Sequence, residues 1–468
     1  MKIRSGSQAR TAQSKTTWVW VALVAATLIL GIEYVSAFAG VFCALVLLVS
    51  AWLMRKISNP LDLQRLNLVS FWYLSYLAVD FFPSFFVYAN HEGPDRSRYL
   101  ISVLSVLITV PLGAVFAGAI RFSRQRKAET YFNESLDAMQ PSAGLMNAYL
   151  ATLALALVGT LLYLRETPVL PLLEWVRNSA SAEELILLRE ESFKLLNSRL
   201  FLVYYLLRGV IYPFLVLVGL GCYLQTRRKI WLFLWLAALL VALIFGSMSL
   251  AKGPAADLFL VMAFFLYFYR RRRLSFRFIL GSITLFLAFP FAVVSSMIEG
   301  GFNSFLFLLE RLFYLPSELL YYYFEVFPSH YGYLYGRSSP NLSWLLGLKF
   351  FDTANHVGLY YDSTLESVAA PAAFIGDLNA DFGLWGVIFG GIVAGWILQK
   401  FHFYVTSRGK SVVTLACYAF LVFVFINLSV GPLLTALGSG GGIPVLLLAW
   451  AFKKAARVQP DSLRLQTA

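Results

Sequence analysis

Runs of about twenty apolar residues return along the whole length of this chain, each long enough to cross a hydrocarbon layer roughly 30 Å thick. A backbone in hydrocarbon must satisfy its own N–H and C=O groups, so such runs fold only as helices or closed barrels. A barrel would show strands of about ten alternating residues, and these runs do not alternate. The chain is 59% hydrophobic and 13% charged over 468 residues, against about 45–50% and about 25% in soluble domains. The expected fold class is an all-α polytopic membrane protein. It would form a single transmembrane domain of about 12 transmembrane helices, with two sizeable loops, 165–200 and 299–371, containing short helices.

The helices are expected at roughly 18–36, 38–54, 66–89, 99–120, 142–164, 200–224, 230–248, 255–269, 278–298, 372–398, 411–430 and 437–452. The first two are joined tightly between Gly31 and Gly40. The basic N-terminus MKIRSGSQARTAQSK leads into apolar text too long for a signal-peptide core and without a small-residue cleavage site, which reads as an uncleaved anchor. Cys43, Cys222 and Cys417 all fall in apolar segments, against a disulfide framework or a cysteine metal site. The four histidines are scattered with no metal-ligand spacing.

If twelve helices alternate, 26 of the 38 Lys and Arg residues fall on one side. The positive-inside rule makes that side cytoplasmic, with both termini inside. The net charge of +13 is thereby spent on topology and lipid headgroups, and nucleic acid is not an expected partner. The other twelve cations are Arg96, Arg98, Arg165, Arg177, Arg189, Lys194, Arg199, Arg208, Lys252, Arg311, Arg337 and Lys349. They fall in outer loops or inside helices, where the charge rule disfavours them. Nine are arginine, which keeps its charge when desolvated and grips phosphate in a fork.

Within 165–200, EELILLREESFKLLNSR reads as a short amphipathic helix on the outer face, with Arg189, Lys194 and Arg199 on its polar side. An interfacial helix with snorkelling cations fits equally. Arg208 precedes Tyr212-Pro213, where proline should kink the helix. FGSMSLAKGPAAD joins the seventh and eighth spans as either a tight turn or a broken element lining a cavity, with Lys252 at its tip.

The 299–371 loop is the longest outer one and the richest in aromatic residues. ERLFYLPSELLYYYFEVF is expected to be helical, with a new start near Pro316 and Arg311 at its entry. Its tyrosines suit an interfacial aromatic belt or stacking on sugar rings. Beyond it, Asp377 and Asp381 are four apart on one helix face with Asn379 beside them. They suit a hydroxyl-orienting pair, arginine partners, or acids at the positive end of a helix dipole. Gly383, Gly386, Gly390, Gly391 and Gly395 read as a close helix-packing face. Walker A, Rossmann, HExxH and DxD patterns are all absent, and few charges fall mid-span.

Four features together resemble the Wzy family of O-antigen and oligosaccharide repeat-unit polymerases of bacterial inner membranes. These are the twelve-span plan with two outer loops, Arg311-Leu-Phe-Tyr-Leu-Pro316, Ala251-Lys252-Gly253-Pro254, and Asn379-Ala-Asp-Phe-Gly383 followed by Gly386. The resemblance implies a GT-C-type membrane glycosyltransferase that needs no metal or other cofactor, with its active site on the periplasmic side. Its substrates would be oligosaccharides on undecaprenyl pyrophosphate, which is also the leaving group. It admits membrane lipids and a polysaccharide co-polymerase chain-length regulator as partners. On this reading Arg311, Arg189 and Lys252 bind pyrophosphate, and Arg199, Arg208 and Arg337 support them. Tyr314 and Asn379 would contact substrate. Asp377, Asp381, Glu325 and His330 are unranked candidates for the general base. Two rivals stay open: an O-antigen ligase, whose expected loop histidine His330 and His356 do not obviously match, and a lipid-linked-oligosaccharide transporter or flippase.

Overall fold

The computed structural model describes residues 5–58, 60–62, 66–119, 130–132, 134, 136, 142–167, 170–177, 184, 188, 198–248, 253–270, 276–295, 301–363 and 370–457. Among them every regular element is helical. In chain order these are α1 (Ser5–Tyr34), α2 (Ala37–Ile57), α3 (Leu68–Tyr76), α4 (Phe82–Asn90), α5 (Asp95–Ala119), α6 (Ala143–Glu166) and α7 (Pro171–Val176). There follow α8 (Ser198–Leu206), α9 (Tyr212–Thr226), α10 (Lys229–Ser247), α11 (Gly253–Tyr269), α12 (Phe276–Ser295) and α13 (Gly301–Leu309). The last are α14 (Leu315–Val326), α15 (Pro340–Leu345), α16 (Thr353–Tyr361), α17 (Ile375–Thr406), α18 (Val412–Ile426), α19 (Leu433–Leu437) and α20 (Gly442–Arg457).

Each of the twelve apolar stretches has a helical counterpart here. Among the described residues nine, some made of two successive helices, are long and apolar enough to cross a membrane, and Trp18–Tyr34 and Gly253–Tyr269 are shorter apolar helices. Their outward faces carry bare hydrocarbon, Leu155 at 73% exposure and Phe233 at 68% among them. In water such faces would aggregate, whereas against lipid tails they cost nothing. The protein is a multi-pass all-α membrane protein.

Three helices share a local device. A π-turn stands just before a proline at Leu77–Phe81 (Pro83), Leu207–Ile211 (Pro213) and Glu310–Tyr314 (Pro316). Proline has no N–H to give, and its ring strikes the carbonyl four residues back. Widening the preceding turn to i→i+5 moves that carbonyl aside. At Pro213, where a kink was expected, the irregularity is this π-turn. Each π-turn also holds an ionisable residue: Asp80, Arg208, or Glu310 with Arg311.

The chain forms two compact units. The first comprises Met1–Arg126, Leu309–Phe403 and Phe425–Thr435. In it α2 packs on α5 through Ser50, whose hydroxyl lies 2.5 Å from the Leu107 carbonyl and 3.0 Å from Tyr73 Oη. α5 and α17 approach so closely that a Cβ on Gly395 would strike the Val110 carbonyl, and one on Gly391 would strike Thr109. That part of the glycine run is the expected packing face. Gly383 is different: it stands at φ 63, ψ −154 and breaks α17 into two helical segments.

The second unit comprises Lys127–Leu308, Tyr404–Val424 and Ala436–Ala468. Its centre is α9, buried from Tyr212 to Cys222. Tyr212 Oη donates to the Ala156 carbonyl at 3.0 Å and lies 2.5 Å from Thr160 Oγ1. The Tyr163 and Tyr204 rings stack at 4.7 Å. Lys410, buried, donates to the carbonyls of Phe132 and Glu134 at 3.1 Å each, so this lysine ties two connections together.

Candidate functional site

The first unit holds an open cleft of about 480 Å³ along α17. Asp377, Asp381 and Ser338 line it together with Phe382, Trp385, Phe389, Val393 and Pro432. Trp385 and Phe389 are 69% and 61% exposed, so this wall faces lipid. The two carboxylates share the cleft because the short segment before Gly383 is helical, as their spacing indicates. The break at Gly383 then turns that segment against the long one, with Leu378 packed on Gly386 and Gly390.

Neither carboxylate is paired with an arginine among the described residues. Thr353 Oγ1 donates to Asp377 Oδ1 at 2.7 Å. Asp381 accepts from the Ser338 hydroxyl at 2.5 Å and from the Ser338 N–H at 3.2 Å. Backbone bonds from Leu334 to Ala380 and from Tyr335 to Asp381 complete the fastening of the loop onto α17. Asn379 is buried, and its amide makes long contacts, 3.5 Å, to the carbonyls of Tyr323 and Phe327. It serves the packing of α14 in this arrangement.

A second cluster gathers where α4 ends, α5 begins and α14 and α16 cover them. The His91 imidazole stacks on Tyr321 at 4.0 Å, edge-on to Tyr322, with Nε2 3.9 Å from Glu318 Oε1. Burial pulls the His91 imidazole below its ordinary value, against the opposing pull of Glu325. Burial, followed by Glu318 and Glu325, pushes the Tyr322 hydroxyl up to about 12. Tyr360 donates to Glu325 Oε1 at 2.7 Å and its ring meets His330. These phenols stay protonated, and Tyr360 acts as a hydrogen-bond donor.

The candidate cations divide. Arg311 is exposed in its π-turn, and its charge lowers the Tyr361 phenol against the stronger upward effects of burial, Glu318 and Glu310. In the same turn Tyr314 Oη accepts from Asn90 Nδ2 at 3.0 Å. Arg337 donates through Nε to the Lys349 carbonyl at 3.0 Å and lies over Phe351, so it braces a loop. In the second unit Arg208 donates to Tyr204 Oη at 2.6 Å. Arg98, Arg165 and Arg177 each have a neighbouring carboxylate, Asp95, Glu166 and Glu174. Arg189, Lys252 and most of the amphipathic helix expected within the 165–200 loop lie outside the described residues, as does the side chain of Arg199.

Sequence reading passed over Asp80. It sits mid-span with no exposed surface, and neither carboxylate oxygen has a hydrogen-bond partner among the described residues. A single Asp in the run LAVDFFP was the available signal. A charged carboxylate at such a depth costs at least ~3 kcal/mol. No group of His, Cys, Asp and Glu among the described residues is arranged as a multi-residue metal centre. No protein-family model matches the chain, and comparison with curated proteins and with solved structures found no similar one.

Proposed function

We propose that this protein is a membrane glycosyltransferase that lengthens oligosaccharides carried on undecaprenyl pyrophosphate, at the periplasmic face of a bacterial inner membrane. The observation that carries the reading is the cleft of α17, whose wall faces lipid and whose head holds Asp377 and Asp381. A lipid-anchored acceptor fits such a place, its chain along the apolar wall and its sugar at the carboxylates. A bare diphosphate does not, because two acids would repel it. The diphosphate of the donor belongs instead with arginine, and Arg311 is the exposed candidate in this unit.

In the reaction the acceptor hydroxyl attacks the donor's anomeric carbon, and the bond to undecaprenyl pyrophosphate breaks with its electron pair leaving on oxygen. The hydroxyl proton passes to a carboxylate, Asp377 or Asp381, as general base. Fixed guanidinium groups stabilise the charge that grows on the leaving phosphate. Tyr322, Tyr360 and Tyr361 supply phenols and ring faces for the sugars.

Purified protein incubated with a defined lipid-linked repeat unit should give a ladder of longer products on a gel. Unlengthened product refutes the reading, and transfer of the unit to a lipid A core makes the protein a ligase. One observation favours the transporter reading: Asp80 buried mid-span beside a discontinuous helix is the kind of element transporters use. Reconstituted protein that moves the substrate across a vesicle without lengthening it would decide for that alternative.

A further inference from the structure

Three buried side-chain oxygens on Asp80 and Ser429 lack a hydrogen bond of good geometry. Asp80 Oδ1 and Oδ2 and Ser429 Oγ are all shielded from solvent and lack hydrogen-bond partners among the described residues. Asp80 lies in the π-turn Leu77–Phe81, roughly 15 Å of helix from the end at Asn90. Ser429 closes the 3-10 turn Asn427–Ser429, where the helix begun as α18 stops before Gly431-Pro432 and resumes as α19. The Ser429 hydroxyl is close enough to act on the carboxylate but is out of hydrogen-bond geometry.

The other hydroxyls nearby are already engaged. Tyr76 Oη donates to the Val103 carbonyl at 3.1 Å, and Tyr99 Oη pairs with Ser317 Oγ at 2.5 Å. Ser317 in turn lies 3.2 Å from the Asp80 carbonyl, so the backbone here is held and only the carboxylate is left over. A buried polar atom without a partner is rare, and a charged one rarer. A proton on Asp80 would cancel the charge and let the carboxyl donate to Ser429 Oγ, but the second carboxyl oxygen would stay unpaired. A cation satisfies all three oxygens at once. One carboxylate balances one positive charge, and all three donors are hard oxygens. Calcium and magnesium sites draw on more negative charge than the single carboxylate found here among the described residues.

We infer that Asp80 and Ser429 form a mid-membrane sodium site, completed by water and by carbonyls at the break between α18 and α19. The site is independent of the glycosyl-transfer reading, since a bound ion would lock the π-turn to the broken helix in an enzyme and a transporter alike. The π-turn of Asp80 packs against that of Arg311, so occupancy would reach the outer loop.

The test uses the purified full chain in detergent, with sodium chloride replaced by choline chloride at constant ionic strength. The unfolding midpoint should rise saturably with sodium by a few degrees, and Asp80→Asn should abolish the response. Ser429→Ala, a milder change, should need a several-fold higher sodium concentration for half the effect. It decides the matter if Asp80→Asn does not fold. A wild-type midpoint that ignores sodium overturns the site, as does an unaltered response in either variant. A midpoint that follows pH but not sodium shows a proton in its place and equally overturns it.

Discussion

Replacing Gly383 with alanine should damage this protein more than its one added methyl suggests. The residue stands at φ 63, ψ −154, a region that only glycine enters without strain. Forcing an L-residue there costs about 1–3 kcal/mol. The new Cβ would also sit 2.8 Å from Tyr333 Oη and 3.0 Å from the ring carbon bearing it. Tyr333 is 39% exposed, however, so its ring can yield and the backbone term dominates. Gly383→Ala should therefore lower stability by about 1–3 kcal/mol. The double variant Gly383→Ala/Tyr333→Ala should keep most of the loss. Gly383→Asn should do no better, because asparagine tolerates the left-handed helical region, with ψ near about +30 to +60°, and not this one. Since the break aims Asp377 and Asp381 at the cleft, chain lengthening should fall further than stability does. The assay is thermal unfolding of purified protein followed by tryptophan fluorescence, beside the product ladder. An unchanged midpoint in Gly383→Ala, or full recovery in the double variant, would refute the assignment of the cost to the backbone.

Arg311→Ala should abolish elongation in a protein that still inserts, and Arg311→Lys should restore little because the bidentate fork is lost; full activity in both removes Arg311 from the site. Ser338→Ala, by stripping Asp381 of a buried donor, should cost about 1.5–3 kcal/mol in the same unfolding assay, and no change would mean that the loop is anchored elsewhere. His91 is held below its ordinary value by burial, so the unfolded chain takes up the proton first as pH falls. Its stabilising effect is whole above the unfolded value of about 6.5 and is lost as pH drops from there through the lower folded value. Glu318 is raised by desolvation and by Glu310, so just above the ordinary carboxylate range its contribution runs the other way and falls as pH rises. His91→Gln should flatten the loss of unfolding midpoint between about pH 7 and pH 5; an unchanged slope would show that other groups set it.

The helices were legible because lipid allows a backbone few alternatives, and every apolar run has a helical counterpart, though the first helix begins at Ser5 and α17 runs on to Thr406. The pairing of Asp377 and Asp381 was legible for the same reason: a spacing of four on a helix leaves little choice of face. The glycine run was only partly readable. Gly391 and Gly395 do pack against α5, but a break and a packing contact leave the same letter in the sequence, and Gly383 is the break. Partners of single polar atoms were not readable at all. Nothing near Asp381 in the chain names Ser338, and nothing near Asp80 names Ser429, because tertiary packing brings each pair together over long separations. Arg337 was expected at the substrate because topology left it unexplained, and bracing the Lys349 carbonyl is an explanation only coordinates supply.

The three widened turns have a mechanical consequence. Each stores one residue more than a regular turn needs, so the surplus can migrate along its helix one step at a time without severing it. Every such step advances the intervening residue by about 1.5 Å and rotates it by roughly 100° around the axis. Proline bars passage on one side at Pro83, Pro213 and Pro316, which makes each device a ratchet free in one direction alone. Arg208 and Arg311 ride on two of these ratchets, so a step would change the face each charge presents while the rods on either side stay still.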